Sequence, residues 1–138
     1  MPYPSLKVLL IEDDESDILT ARRIFDRIPF HTKVTIANNG KDALKILGTD
    51  EDSSSDQMVP FNLLLIDITL PDICGFDVLK EIRIHPRLRF IPAIILTGSK
   101  DADDIVLSYA SGANNFMEKP LTEDKLMNIV TALYFEAA

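Results

Sequence analysis

Leu63-Leu64-Leu65-Ile66-Asp67 is the stretch that decides the architecture. Its apolar residues run without alternation and stop at a carboxylate. A short unbroken apolar run marks a strand covered on both faces, as in a parallel sheet, whereas a half-exposed strand alternates. The chain then leaves through Ile68-Thr69-Leu70-Pro71, so Asp67 sits where the strand ends. The same plan recurs on either side. Lys7-Val8-Leu9-Leu10-Ile11 stops at Glu12-Asp13-Asp14, Ala93-Ile94-Ile95-Leu96 stops at Thr97, and Asn115-Phe116-Met117 leads into Glu118-Lys119-Pro120. In an open α/β sheet the C-terminal strand ends lie along one edge, where such folds hold their ligands. Distant segments therefore send acids, a hydroxyl and an ammonium to one place.

Helical spacing fills the intervals. The first strand covers about Leu6–Ile11, and a helix follows from about Glu15 to Ile28, with Ile18, Ala21, Phe25 and Ile28 on one stripe and Pro29 beyond it. Asp14 starts or caps that helix. Lys33–Ala37 reads as the second strand, Asn38-Asn39-Gly40 as a turn, and Ala43, Leu44, Ile46 and Leu47 as a short helix stopped at Gly48. Thr49–Pro60 is polar, Ser-rich and acidic, the composition of an exposed loop. The third strand is about Asn62–Ile66, and its helix carries Val78, Leu79 and Ile82 ahead of Pro86. The fourth strand spans Ala93–Leu96. Asp101 caps a helix from about Ala102, and Thr122 precedes a last helix ending near Phe135. The result is an α/β chain of alternating strands and helices, a doubly wound parallel sheet with helices on both faces. It is one domain over 1–138, with a core from about 6 to 135 and an exposed acidic loop at 49–60.

The bulk numbers agree. The 138 residues suit a single domain, and a 46% hydrophobic share supplies its core. No apolar run reaches membrane length, and the first residues lack a signal-peptide plan, so no membrane association is expected. One cysteine, Cys74, cannot make an internal disulfide, which points to the cytoplasm. A net charge of −8 disfavours nucleic-acid binding, and no DNA-binding domain is expected.

The strand-end acids carry the chemistry. Several carboxylates at close range raise one another's pKa values, and a divalent cation relieves the repulsion. Mg²⁺, with Mn²⁺ as the alternative, prefers hard oxygen ligands and keeps several waters. Asp13 and Asp67 are the direct ligands in this reading, Glu12 acts through water, and the Thr69 backbone carbonyl adds a neutral ligand. An Asp67 oxygen can attack phosphorus to form an acyl phosphate. The Thr97 hydroxyl can donate to that phosphoryl group, Gly98 leaves room beside it, and Lys119 supplies a compact cation. His31 and His85 fall in loops and read as surface residues. No glycine-rich phosphate loop is present.

These residues resemble the receiver domain of bacterial two-component response regulators. The likeness rests on Glu12-Asp13, Asp67 with Pro71 and Gly75 behind it, Thr97-Gly98, Phe116 and Lys119-Pro120, and spans about Lys7 to Leu133. It implies a flavodoxin-like fold with strand order 2-1-3-4-5, and Mg²⁺-dependent transfer from a histidine kinase to the phosphoacceptor Asp67. The protein would then be a signalling phosphoacceptor, and no enzyme beyond its own phosphotransfer and slow dephosphorylation. Thr97 and Phe116 would couple the phosphoryl group to the face of the fourth helix, fifth strand and fifth helix. The run from Ile84 to Pro92 and the segment Asp103–Tyr109 resemble stand-alone regulators of bacterial phytochrome kinases, so a light-sensing kinase is the implied partner. Thr69 and Ser99 stand at positions that tune dephosphorylation in this family.

Helical geometry offers a contact surface. Leu126, Ile129, Val130 and Leu133 form one stripe, with Phe135 opposite. In the fourth helix Ala102, Ile105, Val106 and Tyr109 read as the buried side, leaving Leu107 outward. Leu107, Tyr134 and Phe135 are thus expected at a homodimer or kinase contact. Three rivals are weaker. A phosphatase resembling the haloacid dehalogenases needs Asp-x-Asp, but Thr69 stands two residues past Asp67 here. A flavodoxin needs phosphate donors after the first strand, where this chain has acids. A receiver-like module acting without phosphate is the remaining alternative.

Overall fold

The computed structural model describes residues 5–49, 60–98 and 101–136. Positions 50–59 of the acidic loop, and Ser99, lie outside the described residues. The elements run β1 (Leu6–Ile11), α1 (Glu15–Arg27), β2 (Thr32–Ala37), α2 (Gly40–Leu47), β3 (Leu63–Asp67), α3 (Gly75–Ile84), β4 (Ala93–Thr97), α4 (Ala102–Ala110), β5 (Asn115–Glu118) and α5 (Glu123–Thr131). The strands form one parallel sheet in the order β2-β1-β3-β4-β5. This is the flavodoxin-like order that the resemblance implied.

Every residue of β3 is buried, and the strand's period of two divides them between two cores. Leu63 and Leu65 pack with Phe25 of α1 and Leu126 and Val130 of α5. Leu64 and Ile66 pack with Ala43 and Leu47 of α2 and Val78, Leu79 and Ile82 of α3. Each such leucine contributes about 1.5–3 kcal/mol by leaving water. Double coverage explains why the run carries no polar residue until its last position.

Caps fix the helix entries beside the functional edge. Asp14 accepts from the Asp17 amide at 2.9 Å, which starts α1 directly after the acids. Asn39 accepts from the Asp42 amide at 2.8 Å, and Gly48 closes α2 in the left-handed region at φ 74°. The Asp72 carboxylate accepts from the Gly40 and Lys41 amides, both at 2.8 Å, and so ties the loop after β3 to the start of α2. Gly75 is required by close approach. A Cβ there would lie 2.2 Å from the Asp67 carbonyl oxygen, while its own N–H donates to Ile68 at 2.9 Å.

In α4 the buried residue is Ser108, with Ile105 half-buried, while Val106 and Tyr109 are exposed. The apolar residues do recur at helical spacing, but the covered position on α4 carries the small Ser108. The Ser108 hydroxyl donates to the Asp104 carbonyl at 2.7 Å, so its burial leaves no polar group unsatisfied. α5 ends at Thr131, and a π-helical turn, Ala132–Glu136, continues it. Tyr134 turns inward. It is half-buried against the core, and its hydroxyl donates to the Asn62 carbonyl. Nothing is described of the Phe135 side chain. His31 is exposed as expected, but His85 is buried, with Nδ1 accepting from the Arg87 amide at 3.3 Å. Its carbonyl also receives the Leu88 and Arg89 amides, because the chain wraps a tight turn around it. Among the described residues, no helix is long and apolar enough to cross a membrane.

Candidate functional site

The strand ends meet as the sequence predicts. Glu12 follows β1, and its side chain is almost fully buried at 1% exposure. Its Oε2 accepts from the Asp13 and Asp14 amides at 3.1 and 3.4 Å, which folds the carboxylate back over the start of α1. Asp67 closes β3 and is 6% exposed. Asp13 stands beside them at the surface. Glu12, Asp13 and Asp67 each offer a carboxylate oxygen, and these oxygens lie within 4.8 Å of one another. Hard oxygens converging from one open side fit a small divalent cation that keeps part of its water shell. Thr69 lies exposed two residues beyond Asp67, in the loop that Gly75 holds close.

Lys119 reaches in from the end of β5. Its ammonium donates to Glu12 Oε1 at 2.7 Å and to Asp17 Oδ2 at 2.7 Å, and stands 3.4 Å from Asp67 Oδ1. The Lys119–Pro120 peptide is cis, and the Lys119 amide donates to the Thr97 carbonyl at 2.7 Å. That bond links the ends of β4 and β5. Thr97 is buried, and a Cβ on Gly98 would meet nothing, so the space beside Thr97 is open. Phe116 is half-buried on β5, its ring meeting Tyr109 of α4 edge to face, with centroids 6.0 Å apart.

The electrostatics follow from this crowding. Burial first, and the neighbouring Asp67 carboxyl second, push Glu12 up to about 7, against the opposing bond from Lys119. Burial alone would lower the Lys119 ammonium. Its bonds to Asp17 and Glu12 and the charge of Asp67 outweigh that and hold it above its ordinary value. Lys119 stays charged even when Glu12 takes a proton, because Asp17 still touches it.

Asp17 is the site residue that sequence reasoning missed. It was readable as an acid in the first turn of α1, three residues after the capping Asp14. An acid in a first helical turn, however, also reads as a partner of the helix dipole. Leu107 is exposed as expected, whereas Tyr134 is half-buried against the core with its hydroxyl on the Asn62 carbonyl.

Known proteins share this fold. The response regulator receiver domain family matches residues 8–131. The probable methanogenesis regulatory protein FilR2 of Methanothrix harundinacea is 32% identical over 123 residues, 89% of this chain and 77% of that protein. The phosphorylated cyanobacterial phytochrome response regulator RcpA superposes with a TM-score of 0.77 at 26% identity, over 97% of this chain and 96% of that one. The Mn²⁺-bound form of response regulator Rcp1 superposes with a TM-score of 0.74 at 26% identity, over 96% of each chain. The family match runs from within β1 to the end of α5 and takes in every residue placed at this edge, and on that ground the chain belongs to the response regulator receiver domains.

Proposed function

We propose that this receiver domain of two-component signalling accepts a phosphoryl group on Asp67 from the phosphohistidine of a sensor histidine kinase. The observation that carries this is the convergence of Glu12, Asp13 and Asp67 within 4.8 Å beside the Lys119 ammonium. An Asp67 carboxylate oxygen attacks phosphorus. The new O–P bond forms as the P–N bond breaks, and the imidazole leaves with the bonding electron pair. Asp13, Asp67 and the Thr69 carbonyl, with Glu12 through water, would hold Mg²⁺ or Mn²⁺, which would neutralise charge on the phosphoryl oxygens. The Thr97 hydroxyl donates to one of those oxygens, and Lys119 pairs with another. Water later hydrolyses the acyl phosphate slowly. As Thr97 engages the phosphoryl group, Phe116 shifts against Tyr109 and carries the change to the face of α4, β5 and α5.

That face is the surface we assign to a second copy of the chain. Val106, Leu107 and Tyr109 are all exposed there, at 64%, 43% and 48%. The likeness to phytochrome regulators supports a phytochrome-type kinase as partner, and the lone cysteine supports a cytoplasmic site of action. The test is incubation with acetyl phosphate, with and without Mg²⁺, followed by intact mass spectrometry beside Asp67→Asn. The expected result is a Mg²⁺-dependent phosphoryl adduct absent from the variant. No adduct from acetyl phosphate or from a phosphorylated histidine kinase would instead leave a module that acts without phosphate.

A further inference from the structure

Three acids surround the Lys119 ammonium, and they do not hold it equally. Glu12 and Asp17 touch it at 2.7 Å, whereas Asp67 stands back at 3.4 Å. Glu12 is committed elsewhere as well, since its other oxygen accepts from the Asp13 and Asp14 amides. Asp17 belongs to a rigid position: its amide is fixed by the Asp14 cap at 2.9 Å in the first turn of α1. Its carboxylate is 39% exposed and lies outside the group of cation-ligating oxygens formed by Glu12, Asp13 and Asp67. Asp17 therefore pulls Lys119 toward α1, away from the phosphoacceptor.

We infer that Asp17 is a positioning residue that restrains Lys119 at a distance from Asp67 and so weakens the hold of the site on a phosphoryl group. The inference rests on the reading of Asp67 as phosphoacceptor. A phosphoryl oxygen on Asp67 competes with Asp17 for the same ammonium. Occupation of Glu12 by the cation's shell removes one of the two close partners and leaves Asp17 as the main competitor. The balance between bound and released Lys119 is then set by a residue that touches neither the cation nor the phosphoryl group.

The experiment is equilibrium binding of beryllium trifluoride, a phosphoryl mimic, in the presence of Mg²⁺. It is measured by calorimetry on wild type, Asp17→Asn, Lys119→Met and the double variant. Asp17→Asn should bind about two- to five-fold tighter, the range expected for a partly exposed ion pair, and the gain should vanish in the Lys119→Met background. An equal gain in both backgrounds would reduce Asp17 to a distant charge, and unchanged or weaker binding would overturn the restraint. A second measurement is independent of phosphoryl chemistry. A crystal structure of cation-free Asp17→Asn should shorten the Lys119 Nζ to Asp67 Oδ1 distance from 3.4 Å to about 2.8 Å, that of a charge-assisted hydrogen bond, and a Lys119 left in place would also overturn it. Wild type that binds no mimic would end the phosphoacceptor reading and the role of Asp17 in it, whatever the crystal structure gave.

Discussion

At the scale of single residues, the site is a set of charges that folding forces together. Glu12 shows the cost most directly, since its pKa rises from 4.5 to about 7. A folded-state value above the unfolded one means that, between those limits, the native protein holds a proton the unfolded chain lacks. Stability from Glu12 is thus present in full below about 4.5 and is lost as pH rises through about 7. A cation reverses the preference, because its binding must displace that proton. The rise in melting temperature produced by saturating Mg²⁺ should be clearly larger at about pH 8 than at about pH 6, and the difference should shrink in Glu12→Gln. Equal shifts at the two pH values would show that Glu12 does not gate the cation. Glu12, Asp13, Asp67, Thr97 and Lys119 were legible in the sequence because each lies at the end of an apolar run or within two residues past it. Asp17 and the buried His85 were not, because neither is placed by a strand. One depends on where a lysine arrives from 102 residues away, the other on a turn that folds over its own ring.

At the scale of elements, Arg83 holds together segments that the strand pattern alone leaves separate. From α3 its guanidinium donates to the Gly112 carbonyl at 2.8 Å, the Ile91 carbonyl at 2.7 Å, the Arg89 carbonyl at 3.1 Å and Asn114 Oδ1 at 3.1 Å. Asn114 Oδ1 in turn accepts from the Ala93 amide at 2.9 Å, so the network reaches the first residue of β4. Gly112 lies at φ 106°, and a Cβ there would stand 2.6 Å from the Arg83 side chain. The loop between α4 and β5 is therefore shaped around the guanidinium. Arg83→Ala should cost roughly 2–4 kcal/mol in urea unfolding, because it strips the partners from carbonyls that remain partly buried. Arg83→Lys should recover little, since a point ammonium cannot span the same fork of acceptors. A loss below about 0.5 kcal/mol would mean that water replaces the guanidinium freely. The succession of strands and helices was readable from periodicity, down to the caps at Asp14 and Asp101. The facing of α4 was not. Hydrophobicity favoured Val106 and Tyr109 as its inner side, but the buried position is Ser108, whose hydroxyl is satisfied within its own helix, and hydropathy does not mark such a residue as internal.

At the scale of the whole molecule, the misread helix becomes informative, because the apolar residues it does not bury are left facing outward. Val106 and Tyr109 lie three apart on α4 and therefore share a face, with Leu107 adjoining. Next to them runs β5, which among the described residues is an edge strand paired with β4. An edge strand beside exposed apolar side chains is a surface that natural proteins ordinarily blunt or cover. Two copies, each with a formal charge of −8, repel one another, so a dimer through this face needs apolar contact to offset that repulsion. Salt separates this arrangement from one held by ion pairs: added salt screens the repulsion and should strengthen the dimer, whereas it would weaken a contact built on opposite charges. Sedimentation of the wild type should show a dimer that is favoured by salt. Leu107→Asp and Val106→Asp, both at exposed positions and so harmless to the core, should sediment as monomers. Three identical monomers would sink the assignment, and a dimer that survives both substitutions would move it to another face.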